Sequence, residues 1–312
     1  MSEPLLIVDG NHCLHRILSI PMFIDARTTQ GQNFGGVYGF FQTLQKILDQ
    51  FQPKVCVVVW DGGLSKRRVD LFPDYKHNRV NIKSDPERQA HWENFGWQRE
   101  LLLALLPLAG VVSLLFRGRE GDDLVWSVRD HARRCNLNPV AIVSEDNDFA
   151  QMVAPDTVLC QPIKDRIINH NNFESLMGLP LDRFLLYKSI LGDAGDGIPG
   201  IQGVGETTAK RVAKEVFDTN WTTVESYCAG AKDKRTRSVA SNMSVLMRNH
   251  DLVRLGAEIL TPNEDLEIAT VLTTSRKPLQ DPHEIEVVFA EMEFKSILRE
   301  FTRWWKPFGY LQ

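Results

Sequence analysis

The chain has 312 residues, which is enough to bury a large core in one large domain or in two modest ones. Its five cysteines show no C-x-x-C spacing and its eight histidines no ligand spacing, which argues against a zinc site and a disulfide framework. The net charge is −4, no apolar run approaches a membrane span and no signal-peptide pattern opens the chain, so we expect a soluble cytoplasmic protein without a membrane partner.

Four continuous apolar runs predict the strands of a mostly parallel sheet. They span residues 5–8, 55–60, 111–116 and 140–143. Aliphatic and β-branched runs of this length, separated by helical patterns such as residues 37–51, are typical of buried parallel strands. We therefore expect an α/β fold over residues 1–185, with a mostly parallel central sheet flanked by helices.

Carboxylates follow each of these runs. They are Asp9, Asp61, Glu120, and Asp146 together with Asp148. Because ligands of open α/β sheets bind beyond the carboxyl ends of the strands, we expect these acids to converge. For any one of them alone, the ordinary alternative is a helix N-cap or a turn former.

A cluster of carboxylates stays ionised only where cations neutralise it, because like charges raise one another's pKa. Ligation by carboxylate oxygens alone suits Mg²⁺ or Mn²⁺, and Mg²⁺ commonly meets a substrate phosphate. The acidic set therefore predicts a two-metal site for phosphoryl transfer.

A long insertion separates the second acidic strand from the third. Residues 73–88 are polar and basic, whereas residues 92–106 carry apolar side chains at helical spacing. On a helix, Tyr75, Lys76 and Arg79 would face one groove, where an aromatic ring can stack on a base and cations can stabilise a phosphate. Lys83 belongs to the same basic stretch, for which the alternative is a solvated charged helix.

Helical patterns dominate after residue 185. A hairpin that ends in Gly203-Val204-Gly205 and opens a helix would point backbone N–H groups at an anion. The basic stretch of residues 229–241 is predicted to be an exposed loop.

Seven motifs occur in a fixed order over roughly the first two thirds of the chain, and the chain resembles the structure-specific 5′-nuclease family. This family includes flap endonucleases, the 5′-nuclease domain of bacterial DNA polymerase I, phage 5′-exonucleases and phage ribonuclease H. The motifs lie at residues 6–10, 36–40, 61–63, 75–79, 120–123, 144–151 and 192–200.

The resemblance implies a PIN-like nuclease core over residues 1–185 and two metal ions. The family's acidic positions for the first ion fall on Asp9, Asp61, Glu120, Asp122 and Asp123. Those for the second, looser ion fall on Asp146, Asp148, Asp193 and Asp196. All nine positions are acidic, which argues against a degenerate relative that only binds. Removing them from the net charge gives −4 + 9 = +5, which is compatible with DNA binding.

The resemblance also implies a helical arch over the site, at about residues 73–106. The single-stranded 5′ end passes through or under this arch, with Tyr75, Lys76 and Arg79 at its base as catalytic residues and Lys83 steering the flap.

For residues 186–312 the resemblance implies a helix-three-turn-helix subdomain and a C-terminal helical region that hold duplex DNA, often with a bound K⁺. Its DNA-binding positions fall on Lys188, Gly203, Gly205, Thr207 and Lys210. Relatives often carry Lys where this chain has Thr207, which should weaken the phosphate clamp unless Lys210, Arg211 or Lys214 compensates.

The resemblance thus implies a Mg²⁺-dependent 5′-3′ exonuclease or flap endonuclease, with Mn²⁺ as a substitute ion. We expect a monomer that cuts DNA near single-strand to duplex junctions in replication, RNA-primer removal or repair, with replication proteins as candidate partners. Two alternatives stay open: a junction-binding protein that does not cleave, and a nuclease specialised for RNA in RNA–DNA hybrids.

Overall fold

A central sheet of six strands organises the fold, and the mostly parallel α/β architecture is confirmed. The computed structural model describes residues 4–77, 86–256, 258, 260–273 and 280–311, with the backbone alone for residues 86–88. The strands are β1 (Leu5–Asp9), β2 (Val55–Trp60), β3 (Val112–Leu115), β4 (Val140–Val143), β5 (Thr157–Gln161) and β6 (Arg166–Ile168). Their order across the sheet is β3-β2-β1-β4-β5-β6, and β6 alone of these strands runs antiparallel to its neighbour.

Helices of the first half connect the strands and cover the sheet. They are α1 (Gly10–Leu18), α2 (Pro21–Ile24), α3 (Gly35–Phe51), α4 (Lys66–Leu71), α5 (Pro86–Leu108), α6 (Gly121–Arg134) and α7 (Phe173–Met177). Short 3₁₀ helices span Asn147–Met152 and Leu181–Arg183. The helical patterns read at residues 37–51 and 92–106 are confirmed as α3 and α5.

In the second half, the regular elements of the described residues are all helices. Its helices are α8 (Phe184–Leu191), α9 (Glu206–Glu215), α10 (Trp221–Ala229), α11 (Lys234–Ala240), α12 (Met243–Val253), α13 (Pro262–Thr273), α14 (Pro282–Glu291), α15 (Lys295–Leu298) and α16 (Phe301–Trp305). A last 3₁₀ helix spans Lys306–Tyr310. No described helix combines the length and the apolar character that crossing a membrane requires.

Alternate residues of β1 enter two different apolar cores, as the pleat of a strand requires. Leu5 and Ile7 join the core that continues into α6 and α8 to α13, whereas Leu6 and Val8 join the core formed with α1, α3, α5 and α14 to α16. Both cores contain residues from either side of position 185. The division into residues 1–185 and 186–312 therefore stays a prediction.

Two local expectations need correction. The predicted loop over residues 229–241 is wrong, because it contains α11, whose N-cap Asp233 accepts a hydrogen bond from the Thr236 N–H at 2.9 Å. The mainly polar sequence gives little indication of this helix. Its residue Val239 is buried in the core that also contains Leu5 and Ile7. The hairpin of β5 and β6 was not predicted, since its strands have only five and three residues.

Candidate active site

The predicted acids gather where the order of the strands along the chain reverses, between β1 and β4. Asp9 is the last residue of β1, Asp61 follows β2, and Asp146 follows β4. Glu120 is the N-cap of α6, which places Asp122 and Asp123 in the first turn of that helix. Such reversals form a crevice at the carboxyl edge of a parallel sheet. The predicted convergence therefore has a topological cause.

Four carboxylates act on one another electrostatically. Burial raises the pKa of Asp9 to about 7, and repulsion from Asp61 and Asp146 adds to this effect. Burial also raises the pKa of Asp122 well above its usual range, reinforced by Asp146, Asp9 and Asp61, although Lys76 opposes the shift. Negative charge thus exceeds positive charge in this part of the crevice.

Neutral donors orient two of these carboxylates. The Ser144 hydroxyl donates to Asp9 at 2.9 Å, which joins the ends of β1 and β4. The Asn11 amide donates to Asp61 at 2.9 Å, and the Gly121 N–H donates to the other Asp61 oxygen at 2.5 Å. Asn11 and Ser144 were not identified from the sequence, because polar residues near strand ends have many ordinary roles.

Glu120 and Asp123 face a buried arginine that was not identified from the sequence either. Arg68 on α4 is 2% exposed, donates to Glu120 at 2.6 Å and forms a two-pronged ion pair with Asp123. Burial disfavours the charge of Arg68, but Asp123 and Glu120 outweigh that effect and raise its pKa. Glu120 and Asp123 lie three residues apart, so their side chains lie on the same side at the start of α6. This spacing is the one feature of the sequence that indicates a shared cation.

Tyr75 and Lys76 reach the same acids from a turn, so the expectation that they lie on a helix is wrong. Lys76 has a φ of 55°, in the left-handed region, and its N–H donates to the Asp196 carbonyl at 2.8 Å. The Lys76 amine lies 2.9 Å from Glu120 and 3.7 Å from Asp196. Arg79 and Lys83 lie outside the described residues.

The Tyr75 hydroxyl donates to Glu120 at 2.9 Å and to Asp196 at 3.2 Å. Its ring is 4% exposed and packs in a small apolar cluster with Ile198 and Leu252. In this arrangement Tyr75 is a hydrogen-bond donor to two acids. Its stacking on a base stays a prediction.

Lys188 lies between two of the predicted ligands of the second ion. Its amine is 2.7 Å from Asp148 and 2.9 Å from Asp193. Burial raises the pKa of Asp148 to about 7 even though Lys188 opposes it. For Asp193 the effect of burial is outweighed by Lys188 and by backbone donors, which lower the pKa. A direct contact of Lys188 with DNA stays a prediction.

The glycine-rich hairpin has the predicted backbone form. Gly203 has a φ of 77°, which favours glycine, and Gly205 is the N-cap of α9. Thr207 is exposed on the first turn of α9. Lys210 pairs with Glu206 at 2.8 Å and lies over the ring of Tyr187.

Helix α12 joins the turn that carries Lys76 to this hairpin. Arg68 donates to the Leu252 carbonyl at 2.9 Å, and the Arg248 guanidinium stacks 4.6 Å from the centre of the Phe72 ring. The fully buried Asn249 donates to the Pro199 carbonyl at 2.8 Å and to the Ser189 carbonyl at 3.2 Å. One helix therefore contacts both sides of the acidic crevice.

The carboxylates in the crevice have the chemistry that a divalent ion requires, but the described side chains are not positioned to bind one. Among the described residues, no group of three or more His, Cys, Asp or Glu side chains is arranged to hold a metal ion. The chemistry of the donors nevertheless fits a hard cation, because they are all carboxylates, and burial together with neighbouring acids raises the pKa values of Asp9 and Asp122. The assignment of the nine acids as ligands stays a prediction.

Comparison with known proteins gives a consistent picture. The family model for the 5′-3′ exonuclease, N-terminal resolvase-like domain, matches residues 4–178. The chain is 25% identical over 302 residues to the 5′-3′ exonuclease of Aquifex aeolicus, covering 96% of each. It is 27% identical over 308 residues to the thermostable DNA polymerase I of Thermus filiformis, covering 96% of this chain and 34% of the relative. The chain thus spans about a third of the length of the polymerases it matches.

Solved structures share the fold. The phage T5 5′-exonuclease with bound zinc superposes with a TM-score of 0.70 at 20% identity, over 87% of this chain and 94% of its own. Flap endonuclease-1 of Methanococcus jannaschii gives a TM-score of 0.52 at 14% identity, over 99% of this chain and 91% of its own. At these identities the likeness concerns the fold.

Replacing Arg68 by Met should lower the free energy of unfolding by about 3–5 kcal/mol, because Glu120 and Asp123 would stay buried without their cation. Urea denaturation measures the change. The matched control is Lys66→Met on the same helix, whose pair with Asp70 is exposed and should contribute at most about 1 kcal/mol. Equal reductions in the two variants would contradict a special role for Arg68.

Replacing Asp122 by Asn should raise the melting temperature in EDTA by a few degrees, and more at pH 8 than at pH 5. The pKa of Asp122 is higher in the folded than in the unfolded state, so the folded state binds more protons at this group, and its contribution to stability falls as pH rises above about 4. Mg²⁺ should raise the melting temperature of the wild type more than that of the variant.

The control for this measurement is Asp49→Asn, an exposed acid on α3. It should change neither the melting temperature nor its response to Mg²⁺. If Asp122→Asn is no more stable than the wild type at pH 8, then the charged Asp122 side chain does not destabilise the folded state, and the prediction is wrong.

Proposed function

The chain belongs to the 5′-3′ exonuclease family, and from this premise we propose that it is a structure-specific 5′ nuclease that hydrolyses phosphodiester bonds near single-strand to duplex junctions. The observation that carries the proposal is the set of carboxylates at the carboxyl edge of the sheet, with the buried Arg68 and Lys76 and the half-buried Lys188 among them. The names of an exonuclease and a flap endonuclease among similar proteins support the same reaction.

Under this proposal two divalent ions bind the acids, with Mg²⁺ as the native ion and Mn²⁺ as a substitute. Asp9, Asp61, Glu120, Asp122 and Asp123 belong to the first ion, and Asp146, Asp148, Asp193 and Asp196 to the second. Glu120 and Asp123 also accept hydrogen bonds from Arg68, Tyr75 and Lys76, so they hold those donors beside the first ion. When bound, such ions supply a water nucleophile at neutral pH and neutralise a phosphate. Zinc in the T5 exonuclease supports a divalent metal.

Lys76 is the side chain best suited to act on the scissile phosphate. Burial alone would lower its pKa, but Asp196, Glu120 and Asp122 outweigh burial and raise it, so the amine stays protonated. A protonated amine held among carboxylates stabilises charge that develops on a phosphate oxygen. Tyr75 holds Glu120 and Asp196 beside it.

Arg79 is a further catalytic residue in the proposal, where it neutralises the scissile phosphate together with Lys76. The other predicted residues have binding roles, and Lys83 guides the single-stranded 5′ end. The backbone at Gly203 and Gly205, with a K⁺ ion, holds duplex DNA so that the junction meets the acids.

The first experiment is single-turnover cleavage of a 5′-labelled double-flap DNA and of a matched hybrid with an RNA primer, each in Mg²⁺, Mn²⁺ and EDTA. Cuts near the junction in Mg²⁺ and Mn²⁺, absent in EDTA, are the expected result. Tight binding without cleavage under any condition would replace the nuclease with a junction-binding protein. Cleavage of the hybrid alone would restrict the enzyme to RNA.

Replacing Lys76 by Ala should lower the single-turnover rate by about 100-fold or more, because the transition-state charge loses a cation held beside it. The dissociation constant for the flap substrate, measured in EDTA, should change little. Lys66→Ala serves as the control, since Lys66 is exposed and pairs only with Asp70 among the described residues. A loss confined to affinity would make Lys76 a steering residue.

A further inference from the structure

Helix α11 is fixed beside the start of α9 by two side-chain contacts. The Ser238 hydroxyl donates to the Gln202 carbonyl of the glycine hairpin at 3.1 Å. From α9, the Arg211 guanidinium donates to the Thr236 hydroxyl at 2.7 Å. The first turns of α9 and α11 therefore border the same surface.

A cleft of about 490 Å³ lies between these two turns. Its lining consists of Thr207, Thr208, Arg211, Asp233, Lys234 and Arg235. With one acid against three cations, the lining carries a net charge of +2. The cleft is therefore suited to an anion.

The single acid of the cleft is already neutralised within the protein. Asp233 accepts a hydrogen bond from the Thr236 N–H at 2.9 Å and pairs with Arg211 at 2.9 Å. Lys234 and Arg235 are exposed and have no ion-pair partner in the part of the chain that the structure describes. The positive charge that remains available to a ligand belongs to these two residues.

The position of Lys234 and Arg235 does not stabilise α11. Lys234 and Arg235 are its first two residues, where the partial positive charge of the backbone N–H groups disfavours cations. These two cations are therefore not placed to stabilise α11.

Thr208 adds a neutral donor to the cleft. The residue is only 8% exposed, its side chain lines the cleft, and its hydroxyl has no hydrogen-bond partner among the described residues. A hydroxyl donor beside two flexible cations matches the groups that contact phosphate oxygens of a nucleic-acid backbone.

We propose that this cleft binds a backbone phosphate of duplex DNA through Lys234, Arg235 and the Thr208 hydroxyl. The proposal rests on the proposed function and extends its duplex-binding surface from the glycine hairpin to α11. On α9, Lys210 and Arg211 are paired within the protein, with Glu206 and Asp233, so they are less available to a ligand than Lys234 and Arg235.

The test is equilibrium binding of a double-flap DNA at a series of KCl concentrations in EDTA. The double variant Lys234→Gln with Arg235→Gln should bind several-fold more weakly. The slope of log affinity against log salt should become shallower by about 1 for each phosphate that the variant no longer neutralises. Thr208→Val should weaken binding without changing the slope, because a hydroxyl releases no counterion.

Two further readouts separate binding from folding and from chemistry. The double variant should keep or raise the melting temperature, since it removes cations from a helix N-terminus. Its single-turnover rate at saturating DNA should equal that of the wild type, and its affinity for a single strand of the same length should be unchanged. A lower rate at saturation, or an equal weakening for the single strand, would overturn the proposal.

The matched control is Lys46→Gln with Arg299→Gln, which removes the same charge. Both residues are exposed and lie on elements that pack in the other apolar core, across the sheet from α9 and α11. An unchanged slope in the Lys234 and Arg235 variant, or an equal change in the control, would overturn the inference. Cleavage by the wild type is scored separately, so failure of the nuclease proposal is distinguishable from failure of this cleft.

Discussion

The crowding of carboxylates at one edge of the parallel sheet is the constraint on which the rest of the structure depends. Two buried cations and one half-buried cation relieve it in the described residues, and each bridges two acids: Arg68 holds Glu120 and Asp123, Lys76 holds Glu120 and Asp196, and Lys188 holds Asp148 and Asp193. A buried ion pair is costly to break because the remaining charge has no water. These bridges therefore fix the relative positions of α4, α6, α8 and the segments that carry Lys76 and Asp196.

The second half of the chain helps to hold the charged groups at the edge of the sheet in place. Helix α12 receives the Arg68 side chain at Leu252 and holds the hairpin backbone through Asn249. The groups that face the acids and the surface suited to duplex DNA are thus parts of one packed structure. A substrate held at α9 and α11 is held relative to the acids as well.

Much of the fold could be predicted because its signals are local. Continuous apolar runs indicated β1 to β4, and the acids that end them marked the crevice. Arg68 could not be identified, because its partners lie 52, 55 and 184 positions away in the chain. Helix α11 was hidden by its basic composition, and the turn at Tyr75 and Lys76 by an assumed helical period. Contacts that span the whole chain have no short-range pattern to reveal them.

The position of Lys188 has a practical consequence for anyone producing the protein. The family model ends at residue 178. Beyond that point lie Lys188, which is between Asp148 and Asp193, and Leu252, whose carbonyl accepts a hydrogen bond from Arg68. Much of one apolar core also comes from beyond residue 178. A recombinant fragment cut at the edge of the matched segment would expose that core and leave Asp148 without its counter-charge. The matched segment is a unit of ancestry, whereas the apolar cores that its strands help to build extend well past it.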